Sequence, residues 1–113
     1  MSKPAFELKQ SEGGTSLQGY VTTSFANLKK ILGEPNSTGD EYKVSTEWNI
    51  VFADGTVATI YDWKLTTMYD DDGLTVAQVR TASEIEWHIG GVNHRAVELV
   101  GELLDLRART FGL

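Results

Sequence analysis

Between Lys43 and Lys64, on either side of Asp54-Gly55, aromatic and β-branched residues recur in near alternation along the chain. A period of two is the signature of a half-buried strand. Asp-Gly between two such runs is a favoured hairpin turn, because its central positions need positive φ. The pattern predicts a β-hairpin with arms Lys43 to Phe52 and Thr56 to Lys64. A second aromatic strand is predicted from Glu84 to Ile89 and is broken by Gly90-Gly91. Weaker alternation predicts short strands at Pro4 to Lys9, Leu17 to Val21 and Leu74 to Arg80, with Asp70-Asp71-Asp72-Gly73 as a turn tip.

Two stretches carry helical spacing instead. Phe25, Leu28, Ile31 and Leu32 follow Thr22, Thr23 and Ser24, whose hydroxyls suit an N-cap, and Gly33 with Pro35 stops the helix. Asn93 caps a second helix that runs to about Arg109. Ala96, Val97, Val100, Leu103, Leu104 and Leu106 form its apolar face, and Glu98, Glu102, Asp105 and Arg109 its polar face. Asp105 and Arg109 stand at favourable i,i+4 spacing. The predicted fold is α+β: one domain over residues 1–113, with an antiparallel β-sheet of four to six strands and two helices packed on one face.

Counting outward from a two-residue turn at Asp54-Gly55 sets a register. Phe52/Val57, Ile50/Thr59, Trp48/Tyr61 and Thr46/Trp63 then share the core face. Val51/Ala58, Asn49/Ile60, Glu47/Asp62 and Ser45/Lys64 share the other. Ile85, Trp87 and Ile89 alternate likewise with Glu84, Glu86 and His88. Glu47, Asp62, Lys64, Glu86 and His88 are thus expected to gather on one sheet face. Three carboxylates and a histidine there raise a metal or acid–base chemistry, against the alternative of a solvated face.

Composition narrows the field. The chain has 113 residues, no cysteine and a formal charge of −6. The absence of cysteine excludes disulfides, thiolate metal sites and cysteine nucleophiles, and agrees with a reducing cytosol. The acidic balance disfavours direct nucleic-acid binding through phosphates, and no apolar run reaches the ~20 residues of a membrane span. An acidic chain could also mimic nucleic acid, although its acids are scattered. The glycines do not follow the spacing of phosphate loops or dinucleotide fingerprints, and no G-x-S-x-G nucleophile occurs. No cofactor is expected.

One further constellation points to chemistry: Trp87-His88-Ile89-Gly90-Gly91-Val92-Asn93-His94-Arg95. Glycines admit a ligand close to the backbone, and the start of a helix attracts anions. Gly90, Gly91, Asn93, His94 and Arg95, with Trp87 or Trp63 for stacking, therefore form a candidate binding corner for an anionic nucleotide. Glu47, Asp62, Glu86, Tyr69 and Asp71 form a second candidate, a patch of acids and an aromatic suited to binding a protein. Exposed strand edges leave a homodimer open.

The segments LGEP (Leu32 to Pro35), EW-I-F-DGTVATIYDWK (Glu47 to Lys64) and WHIGG (Trp87 to Gly91) resemble a group of small proteins encoded by bacteriophages and prophages. The resemblance extends from Tyr20 to about Val100 and carries no catalytic residues with it. It implies an accessory protein of the infected bacterium's cytoplasm. The expected function is non-enzymatic: an inhibitor that binds and blocks a host defence protein or complex, CRISPR-based or other. The alternative is a sponge that sequesters a nucleotide immune signal.

Overall fold

Six strands form one antiparallel sheet in the order β1-β3-β4-β5-β2-β6. The computed structural model of the chain describes residues 3–10, 14–37, 44–63 and 73–111. In chain order the elements are β1 (Phe6–Leu8), β2 (Ser16–Thr23), α1 (Phe25–Leu32), β3 (Val44–Phe52), β4 (Val57–Trp63), α2 (Val76–Thr81), β5 (Ile85–Gly91), α3 (Arg95–Leu104) and β6 (Arg109–Thr110). The α+β expectation holds, with one short helix more than the spacing predicted. No described helix is long and apolar enough to cross a membrane. Lys64, Tyr69 and the Asp70 to Asp72 run, Asp71 included, lie outside the described residues.

The helices gather on one face of the sheet. Trp48 from β3 and Trp87 from β5, both fully buried, meet edge-on at 5.7 Å in the middle of that layer. Each indole N–H is satisfied at an end of α1: Trp48 donates to the Gly33 carbonyl at 2.8 Å, and Trp87 donates to the Thr23 carbonyl at 3.0 Å. Leu28 and Leu32 of α1 and Val97, Val100, Leu103 and Leu104 of α3 close the core over Ile50, Ile60 and Ile89. Ser24 caps α1 as expected, accepting from the Asn27 N–H at 3.0 Å.

The hairpin register differs from the count by one residue. The Phe52 N–H donates to the Thr56 carbonyl at 2.8 Å, and the Gly55 N–H donates to the Phe52 carbonyl at 2.9 Å. The loop is therefore three residues, Ala53-Asp54-Gly55, and only Gly55 takes positive φ, at 90°. Asp54 stays out of the left-handed region and accepts from the Thr56 N–H at 2.9 Å. A type I turn closed by a left-handed glycine is the usual three-residue hairpin. Val51 now faces Val57, Trp48 faces Ile60 and Glu47 faces Tyr61, with a bulge before Val44 meets Trp63.

A one-residue slip turns a whole strand over. Ala58, Ile60 and Asp62 of β4 enter the core layer, and Tyr61 and Trp63 go to the opposite side. Glu47 and Asp62 consequently do not share a face. Asp62 is fully buried and its Oδ1 accepts from the Thr46 N–H at 2.9 Å, which ties the carboxylate to the β3 bulge.

Three further expectations are corrected. Leu74 to Arg80 is not a strand: Thr75 and Gln78 form a reciprocal capping box that starts α2. Gly90-Gly91 does not break β5, which runs through both glycines. A Cβ on Gly90 would stand 2.3 Å from Thr59 Oγ1, and one on Gly91 would stand 2.6 Å from Ala96 Cβ. Those glycines exist for close packing within the sheet and against α3. Finally, α3 stops at Leu104. Asp105 adopts φ 56° and ψ 44°, and the Leu106 N–H donates back to the Gly101 carbonyl at 3.0 Å. This left-handed end leaves Leu106 partly exposed and sends the chain into β6, so Arg109 is a strand residue and not the i,i+4 partner of Asp105.

Asp105 is the only described non-glycine residue with positive φ, and its charge sits at the negative end of α3. Both features oppose the fold, at about 1 kcal/mol together. Asp105→Gly is expected to raise the unfolding free energy by that amount, seen as a higher urea midpoint with an unchanged slope of the transition; an unchanged or lower midpoint would contradict the reading.

Candidate functional site

The face of the sheet opposite the described helices carries a row of side chains that crosses five strands. Strand pairing places Glu47 (β3) opposite Tyr61 (β4), Tyr61 opposite His88 (β5), His88 opposite Tyr20 (β2), and Tyr20 opposite Arg109 (β6). An acid stands at one end and an arginine at the other, with three rings between them. Directly opposed residues lie within side-chain contact, which makes the row continuous.

Ring geometry confirms the contacts. Tyr20 meets His88 edge-on at 5.0 Å, and Tyr61 meets His88 at 5.5 Å with a tilt of 54°. Trp63 lies beside the row, edge-on to Tyr61 at 6.1 Å and stacked with His88 at 6.3 Å. Phe111, just past β6, meets Tyr20 edge-on at 6.3 Å and is 50% exposed. The Arg109 guanidinium sits 5.0 Å from the Tyr20 ring centre, and its Nη2 is 2.6 Å from Glu86 Oε2. Tyr20, Tyr61, Trp63 and His88 are half-buried, while Glu86 and Arg109 are exposed.

Electrostatics keep the middle of the row neutral. Desolvation lowers the His88 pKa below its ordinary value, and the nearby Glu86 charge opposes part of that shift. Desolvation raises the Tyr61 phenol, with added contributions from Glu47 and Tyr20. At neutral pH the row therefore presents uncharged rings between Glu47 and the Arg109–Glu86 pair.

The His88 shift has a consequence for stability. Its folded pKa lies below the unfolded value near ~6.5, so the unfolded chain takes the proton first. The contribution is complete above about pH 6.5 and declines as pH falls through the folded pKa. His88→Gln removes that component. The stability difference between the wild type and this variant is expected to shrink from pH 7.5 to 5 in urea titrations; a difference that grows would contradict the sign.

The predicted corner is built differently from the expectation. Trp87 is fully buried and donates into the core, so it does not stack beside the corner. Gly90 and Gly91 are buried within β5. Asn93, His94 and Arg95 are exposed and line a shallow recess with Gln18. Asn93 Oδ1 accepts from the Arg95 N–H at 3.0 Å, performing the capping role expected of it. The Arg95 side chain is engaged twice, by Glu98 at 3.1 Å and by Asp54 at 3.5 Å. Hydrogen bonds from Thr56 hold the Asp54 carboxyl below its usual range, with a smaller contribution from Arg95.

Of the predicted protein-binding patch, the face opposite the described helices keeps Glu47 and Glu86, and Asp62 has turned into the core. The proposed gathering of Glu47, Asp62, Glu86 and His88 does not occur. Among the described residues no group of three or more histidines and carboxylates is arranged to hold a metal ion. The sequence reading missed Tyr20, Tyr61, Arg109 and Phe111. Tyr61 and Trp63 at i,i+2 were a usable signal, but the two-residue turn assigned both to the core face. Compared with known proteins, the chain matches no family model and no curated sequence.

Proposed function

We propose that this chain is a non-catalytic binding protein that blocks a bacterial defence protein or complex by occupying it, with the sheet face opposite the described helices as its contact surface. The observation that carries the proposal is the row Glu47–Tyr61–His88–Tyr20–Arg109, flanked by Trp63 and Phe111. Tyrosine, tryptophan and arginine are the residue types that dominate binding energy at protein interfaces. Here they stand together on the side opposite the described helices, and their charges are confined to the ends. The biological setting comes from the resemblance of the hairpin and the WHIGG strand to phage-encoded accessory proteins.

The test uses bacterial strains that each carry one defence system, challenged with a phage which that system restricts. Expression of the chain is expected to restore plaque formation in one strain. The purified chain is expected to inhibit that system's effector with an endpoint near one molecule per target. Restoration in no strain would contradict the proposal, and so would inactivation of many targets by one molecule.

A further inference from the structure

β1 forms one of the two edges of the sheet. The Ala53 N–H donates to the Ala5 carbonyl at 2.9 Å, and the Lys9 N–H donates to the Asn49 carbonyl at 3.0 Å. Ala5, Glu7 and Lys9 therefore aim their backbone groups at β3. By alternation the N–H and C=O of Phe6 and Leu8 point away from the sheet. Phe6 and Leu8 stand opposite Phe52 and Ile50, on the side of the helices, and Leu8 is 39% exposed. Glu7 and Lys9 alternate to the other face, and both are exposed. Among the described residues neither enters an ion pair.

We infer that β1 pairs antiparallel with β1 of a second copy of this chain, about a two-fold axis at Leu8, so that the two sheets join into one. An edge strand with outward backbone groups is a template for another strand, and two identical strands meet antiparallel about a two-fold. Charge and backbone chemistry select the register. An axis at Glu7 or Lys9 sets that charge against its own copy, and like charges directly opposed destabilise. An axis at Phe6 sets Leu8 against Pro4, which has no N–H to give to the ladder. An axis at Leu8 has neither fault. Leu8 then meets its own copy through a reciprocal pair of backbone hydrogen bonds, and the two partly exposed side chains cover each other. Glu7 of each copy stands opposite Lys9 of the other, so both charge pairs are complementary. The contact does not depend on the blocking role. β3 separates β1 from the rings of the row, and the dimer therefore presents that row twice.

The test is sedimentation velocity of the full chain over a range of concentrations. The wild type is expected to approach twice the 12.5 kDa of one chain as concentration rises. Glu7→Lys and Lys9→Glu, each alone, set like charges across both contacts and are expected to weaken dimerisation at least about 10-fold. Mixed in equal amounts, the two variants regain opposite charges at both contacts. They are expected to form a heterodimer as tightly as the wild type pairs with itself, a rescue that misfolded variants could not give. A wild type that keeps the mass of one chain up to millimolar concentration would overturn the inference. So would a dimer that both variants retain, or single variants that stay monomeric when mixed.

Discussion

Asp62→Ala is expected to lower the unfolding free energy by about 3 kcal/mol, while Glu47→Gln costs less than about 0.5 kcal/mol. The two acids sit on adjacent strands but on opposite faces. Asp62 is fully buried, and its Oδ1 accepts from the Thr46 N–H at the β3 bulge. A hydrogen bond to a charged group contributes about 1.5–3 kcal/mol, and an orphaned buried donor carries its own desolvation cost. Asp62→Asn keeps an acceptor oxygen and should recover part of the loss. Urea denaturation of the three variants decides the matter. In the two-residue register both acids would be surface residues, and their replacements would cost alike. Equal, small effects would therefore contradict the one-residue slip itself.

The largest functional effect is expected from Tyr20→Ala combined with Phe111→Ala. Each removes a ring from the exposed end of the row, and truncation of an aromatic hot spot typically costs 2 kcal/mol or more. That corresponds to about 30-fold in affinity per site, so the pair should abolish inhibition at concentrations where the wild type acts. Tyr20 is half-buried against His88, so the double variant should also lose up to about 2 kcal/mol of stability yet remain folded. Val92→Ser is the control, because Val92 is the most exposed large apolar residue described, at 70%, and lies beyond the end of β5. Its replacement should change neither stability nor inhibition. Arg95→Ala should also leave inhibition intact; loss of inhibition there would favour an anionic ligand at the start of α3 instead.

Local signals in the sequence were strong enough to place most elements. Ser24 ahead of Phe25, Leu28 and Leu32 specifies α1, because cap and apolar stripe agree. The alternation on either side of Asp54-Gly55 specifies two paired strands. What alternation does not carry is register. Asp-Gly serves both the two-residue turn and the three-residue loop, and one residue of slip moved Tyr61, Trp63 and Asp62 to the wrong sides. The candidate site was lost with them, since Glu47, Glu86 and His88 were legible on one face but Tyr61 and Trp63 were assigned to the core. Leu74-Thr75-Val76 and Gln78-Val79-Arg80 also read as alternation, so the Thr75–Gln78 capping box that makes α2 helical went unrecognised. β6 has two residues, too few for any period, and it exists because Asp105 turns the chain back along β2. Arg109 could be placed at the end of the row only once that turn was seen.

The most direct test of the face opposite the described helices as the working surface is hydroxyl-radical footprinting of the chain, free and in complex with the defence effector it inhibits. The account predicts that Tyr20, Tyr61, Trp63 and Phe111 become protected in the complex, while Leu8, Leu74 and Val92 react as in the free chain. Protection confined to Val92 and the start of α3, with the rings of the row unchanged, would contradict it.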